Sequence, residues 1–182
     1  SIEARDENTV RDMDRFVERR REAGIVGGVV LTDKNGVVRF NSNVLGARDI
    51  GKSIADRDHF VWAKNQAKKG EYLISEPFVS RLGATEDEGI VVVASPVYQN
   101  DEFSGVITGS VKLAPLLEHF FGLMKISDMT EVYLVDSQGN LLYSNVAPDA
   151  VGSNIAGLFS DDQVLNGRIK NALGATIEDQ FQ

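Results

Sequence analysis

Residues 53–64 read SIADRDHFVWAK. An arginine stands between two aspartates, followed by a histidine, a phenylalanine and a tryptophan, where a polar loop turns into a helix. Two readings are open at this point. In one, Asp56 is the N-cap of a solvated helix start and Arg57 pairs with Asp56 and Asp58. In the other, the stretch is the floor of a site that grips an anion. Backbone N–H groups at a helix start point outward unsatisfied and the dipole favours negative charge there. A guanidinium adds a bidentate fork, and His59, if protonated, would make such binding pH-sensitive.

Other chemistries are constrained by what the chain lacks. There is no cysteine in 182 residues, so disulfides, thiolate metal sites and thiol catalysis are excluded together. With two histidines, His59 and His119, an all-histidine metal site is out of reach. A hydrolase needs a nucleophile and an oriented base. His59 with Asp56 or Asp58 is the nearest grouping, and its spacing on one turn suits capping, so no enzymatic activity and no cofactor are expected. The formal charge of −8 opposes binding to nucleic acid and to anionic lipid.

The elements that must position this stretch follow from apolar spacing. Val10, Met13, Phe16 and Val17 mark one face of an N-terminal helix that Gly24 would end, with the Arg19–Arg21 run on its solvated side. Two β-rich runs flank the DKNG turn. A helix from Arg57 to Lys69 follows, with Phe60, Ala63 and Ala67 inward and Gly70 as its stop. EYLISEPFVS reads as one strand, SRLGATEDEG as an exposed loop, and GIVVVASPVY and SGVITGSVKL as two strands around QNDEF. Pro115 opens a third helix, an apolar one. Tight turns between adjacent strands imply an antiparallel sheet with helices segregated to one side, an α+β layer.

The chain then repeats itself. VVLTDKNGVVRFNSN is echoed by VYLVDSQGNLLYSNV, with Asp33 and Gly36 matching Asp136 and Gly139, and Gly51 and Ile54 matching Gly152 and Ile155. This predicts one complete module and the first half of another: an N-terminal helix over 1–27, a first module over 28–125 with its connecting helix, and a partial second module over 126–182. Half an antiparallel sheet leaves an open edge, so the missing half is expected from a longer parent chain or a second copy. DKNG and DSQG lack the ligand spacing and closing glutamate of a calcium loop, and turn chemistry accounts for them better.

Taken in order, the N-terminal helix, LTDKNGVVRFNS, DRDHF, ISEPF, IVVVASPV, GVITGSVKL and LVDSQGNLLYSN resemble a double Cache domain, the extracytoplasmic sensing region of bacterial and archaeal transmembrane receptors. The resemblance covers nearly the whole chain. It implies a long N-terminal helix beside a PAS-like antiparallel five-stranded sheet, then the first half of a similar module. It also implies a small ligand in the membrane-distal module, here the first, and a membrane-anchored parent carrying a histidine kinase, chemotaxis or cyclic-dinucleotide output. Dimerisation through the N-terminal helix would suit its length.

Site residues follow from the same resemblance. Arg57 and His59 match positions that often hold a ligand carboxylate. Phe40 corresponds to a pocket aromatic on the second strand, and Phe78 to the one after the strand proline, where amino-acid-binding members usually carry Tyr. Ser110 stands where those members have an Asp for the ligand's ammonium. A neutral hydroxyl cannot stabilise a desolvated ammonium as a carboxylate does, which points away from an amino acid and towards a small organic carboxylate or another small molecule. Trp62 either lines the pocket or packs between helix and sheet. The second module has no equivalent of Arg57 and is expected to act as a relay. The competing class is a ligand-free interaction or dimerisation module.

Overall fold

The computed structural model describes residues 7–46, 48–122 and 131–174. Helix α1 (Glu7–Glu18) buries Met13 and Val17 against Val29 and Leu31 of strand β1 (Val26–Thr32). It ends earlier than the expected stop at Gly24. It closes at Glu18, and a 3-10 turn over Arg21–Ala23 leads to Gly24, whose φ of 65° turns the chain into β1. The Arg20 guanidinium folds back over the Phe16 ring at 3.8 Å and donates to the Phe16 carbonyl, which satisfies a helix-end acceptor. Residues 1–6 of the expected helical segment lie outside the described residues.

The main sheet is antiparallel, in the order β2 (Val38–Asn43), β1, β6 (Glu102–Lys112), β5 (Gly89–Gln99), β3 (Leu73–Ile74), with β4 (Phe78–Val79) also on β5. The expected single strand EYLISEPFVS is thus two short ones. Leu73 and Ile74 pair with Ala94 and Val93, Phe78 and Val79 with Ile90 and Gly89. Pro77 lies between them and has no N–H to give the ladder. Six strands therefore fill five positions. The layout is the α+β one that the antiparallel reading and the family resemblance lead one to expect.

The two faces of this sheet carry two cores. Alternation along β5 and β6 sends Ile90, Val92, Ala94 and Val106 to one face, where they bury Ile54, Phe60 and Ala63. Phe60 and Ala63 belong to helix α2 (Asp58–Asn65). Phe60 is 2% exposed, and burying a phenylalanine side chain contributes roughly 2–3 kcal/mol. That anchor fixes the start of α2 over the sheet. The helices are not on one side of the sheet as expected: on the other face α1 packs with Val29, Leu31, Phe40, Val44 and Val97, because alternation along the strands makes both faces apolar.

Beyond β6, helix α3 (Leu113–Gly122) begins as Pro115 requires, and a separate two-stranded sheet follows, of β7 (Tyr133–Val135) and β8 (Leu141–Ser144). Helices α4 (Ile155–Leu158) and α5 (Gln163–Gly174) follow. The repeat is visible bond by bond. Asp33 Oδ1 accepts the N–H groups of Asn35 and Val37, as Asp136 Oδ1 accepts those of Gln138 and Asn140. Ile54 N–H donates to the Gly36 carbonyl and Ile155 N–H to that of Gly139. Both aspartates are thus occupied by their own turns. The parts of the repeat that fall on residues 126–130 and 175–182 lie outside the described residues. This smaller sheet meets the main one at β5 and β8, so closely that a Cβ on Gly89 would stand 2.2 Å from the Leu142 carbonyl oxygen.

Candidate functional site

The start of α2 does not form as its charges suggest. Asp56 is not the N-cap: Arg57 occupies that position, with no side-chain cap bond, and the helix ends at Asn65 rather than at Lys69. The Asp56 carboxylate is taken instead by the Arg81 guanidinium, which binds both of its oxygens and also donates to the Ser53 carbonyl. A charge-assisted bidentate pair outcompetes a cap bond. These hydrogen bonds from Arg81 hold the Asp56 carboxyl down to about 2.

The consequence falls on Arg57. Among the described residues it has no ion pair. Its guanidinium lies 4.7 Å over the Phe78 ring and donates to the Val79 carbonyl at 3.3 Å. Burial, followed by the repulsion of Arg81, pushes its pKa down. On the same strand the Phe78 ring stacks on the His59 imidazole, with 5.7 Å between centroids and 22° between planes. His59 is 4% exposed. Burial first, then the field of Arg57, lowers its pKa to about 4, so the ring is neutral at neutral pH.

Arg57, His59, Phe78 and Ser110 line one cavity of about 50 Å³ between α2, the sheet and the segment after β4. That is room for about three or four waters or a molecule of a few heavy atoms. The other two residues expected there do not line it. Phe40 faces the opposite side of the sheet, packed with the α1 cluster, because β2 alternates: Asn41 and Asn43 face the cavity, whereas Ser42 donates to Asp14 on α1. Trp62 packs against the Phe60 core.

The segment expected as an exposed loop is part of the wall. Ser80, Ala84 and Thr85 are buried, around a 3-10 turn at Gly83–Thr85. Ser80 and Thr85 join their hydroxyls at 2.8 Å, and the Leu82 N–H donates to Ser80 Oγ. Asp49 also reaches the cavity, but Lys52 binds its Oδ1 at 2.9 Å and Asn41 donates to its Oδ2. The sequence signal for this wall is the Gly27–Gly28 pair. A Cβ on Gly27 would stand 2.3 Å from Thr85 Cγ2, so only glycine lets the turn close onto β1. Among the described residues no cluster of three His, Asp or Glu side chains is arranged to hold a metal ion.

No family model and no curated protein matches this chain. Solved structures do. An extracellular ligand-binding receptor from Desulfohalobium retbaense DSM5692 has a TM-score of 0.61 at 14% identity, over 98% of this chain and 29% of that one. The sensor domain of the V. cholerae histidine kinase DctB has a TM-score of 0.60 at 18% identity, over 97% and 63%. The ligand-binding domain of the Pseudomonas aeruginosa PAO1 amino acid chemoreceptor PctC, in complex with GABA, has a TM-score of 0.52 at 21% identity, over 86% and 65%. The chain spans less than two thirds of the length of each. At these identities the likeness is one of fold: the chain is built like the extracellular sensor domains of histidine kinases and chemoreceptors, the fold a Cache resemblance implies.

Proposed function

We propose that this chain is the extracytoplasmic ligand-sensing part of a transmembrane signalling receptor, and that its first module binds a small organic carboxylate on Arg57. The observation that carries this is the division of charge at the start of α2. Arg81 neutralises Asp56, which leaves Arg57 without a carboxylate partner on a cavity it shares with a neutral His59. An unpaired guanidinium in a half-buried site is stabilised by a ligand anion. Phe78 holds both groups from below. Binding would shift the arrangement of the helices and so a distant output, with residues 28–125 as the sensing module and residues 126–182 as the relay.

The test is a thermal-shift screen of small carboxylates, amino acids, amines and polyols on the parent chain and on Arg57→Ala. At about 100 times its dissociation constant a ligand adds ~2.7 kcal/mol of stability. A carboxylate that stabilises the parent and not the variant supports the assignment, and equal responses sink it.

One observation favours a second reading, a ligand-free dimerisation module. Phe16 on α1 and Val93 and Ile107 on the sheet face beside it are each about 40% exposed and lie along one apolar groove. Robust dimerisation, together with no saturating isotherm for any organic acid, amine or nucleotide, would favour it.

A further inference from the structure

Two polar groups meet the cavity with no hydrogen-bond partner among the described residues. Thr108 sits in the middle of β6, 6% exposed, opposite Val30 of β1 and Ala94 of β5, so its side chain is on the α2 face. Its hydroxyl makes no hydrogen bond among the described residues. The hydroxyls of Ser80, Thr85 and Ser110, on the same cavity, are all engaged; that of Ser110 donates to the Gly28 carbonyl at 3.3 Å. The His59 imidazole, 4% exposed, is likewise without a hydrogen bond among the described residues. Among the described residues the fully buried side-chain atom without a partner is Asn166 Oδ1, so these two groups open onto the cavity, where a partner from outside the chain can reach them.

Charge narrows the partner further. Among the described residues that line the cavity, Arg57 is the cation without an ion pair. Arg81 is matched by Asp56, and Asp49 by Lys52. A ligand with one negative charge completes this set. A second carboxylate would lie in a cavity that Asp49 also lines, and an ammonium would have to compete with Lys52 for it. Either leaves a buried charge poorly compensated. The small volume keeps the carbon chain short.

Building on the carboxylate assignment, we propose that Thr108 and the His59 ring bind a hydroxyl on the ligand, so that the cavity selects a short hydroxy monocarboxylate over the plain acid, a dicarboxylate or an amino acid. A hydroxyl both donates and accepts, as do the threonine hydroxyl and a neutral imidazole. A site built to hydrogen-bond a hydroxyl rejects the analogue that lacks it, because its own polar groups are then left unpaired.

The experiment is calorimetric titration of the 182-residue chain with D- and L-lactate, propionate, malonate and γ-aminobutyrate, repeated on Thr108→Val, Thr108→Ser and Arg57→Ala. One lactate enantiomer should bind at least about tenfold tighter than propionate. Thr108→Val should erase that margin and leave propionate unchanged, and Thr108→Ser should keep it. The proposal is overturned if propionate matches lactate, if the margin survives in Thr108→Val, or if malonate or γ-aminobutyrate binds best. Where acids still depend on Arg57, those results leave the carboxylate assignment standing. If no acid binds, or Arg57→Ala binds propionate as the parent does, both fall together.

Discussion

Lowering the pH should destabilise this fold well before its carboxylates protonate, and His59 is the reason. In the folded chain burial holds the ring's pKa down to about 4, against an ordinary value of 6.5. Between those values the unfolded state binds the proton and the folded state does not, so stability falls as the pH is lowered through this window. At 1.36 kcal/mol per unit the gap corresponds to roughly 3 kcal/mol. The carboxylates act in a separate window. Asp56, held down to about 2 by Arg81, keeps its contribution above its ordinary 3.8 and loses it only as the pH falls further. Asp33 and Asp136 are also lowered: burial, the largest influence, raises them, and the hydrogen bonds of their turns, joined at Asp33 by the Arg39 guanidinium, outweigh it. Urea unfolding at pH 7.5 and 4.5 reads the histidine window. With a slope of about 1–3 kcal/mol per molar, the midpoint should drop by at least about 1 M. His59→Gln should remove most of that drop, and ring-proton NMR of a chain with only two histidines should show one that stays neutral to near pH 4. A drop that persists in His59→Gln, or a His59 ring that titrates near 6.5, would refute the buried neutral imidazole.

Two further outcomes bear on the cavity wall. Gly27→Ala places a Cβ 2.3 Å from Thr85 Cγ2 and 2.7 Å from Ser110 Oγ, and should cost about 1–3 kcal/mol by urea unfolding and abolish the thermal response to carboxylates. Arg81→Ala breaks an ion pair whose side chains are 41% and 65% exposed, and should change stability by less than about 1 kcal/mol. The same change frees Asp56 to pair with Arg57. It should therefore weaken carboxylate binding in titration, and unchanged affinity would show that Arg81 plays no part in keeping Arg57 available.

Much of this architecture is legible in residue spacing. Glycines at DKNG and DSQG fix two equivalent turns, and the apolar alternation of β5 and β6 fixes which side chains meet Phe60. The site is legible only in part, because it depends on pairings between segments distant in the chain. Local spacing makes Asp56 the natural cap of α2, yet its partner is Arg81, 25 residues on. Phe40 is an aromatic in a promising strand, but period-2 alternation gives the cavity Asn41 and Asn43 instead. The polar composition of SRLGATEDEG suggests solvent, whereas Ser80 and Thr85 satisfy each other and so can be buried.

The most direct measurement is a crystal structure of the chain grown with lactate and, separately, with propionate. The account predicts a carboxylate forked on the Arg57 guanidinium inside the cavity, with Arg81 still on Asp56. An empty cavity with Arg57 turned onto Asp58, or an acid bound elsewhere on the chain, would contradict it.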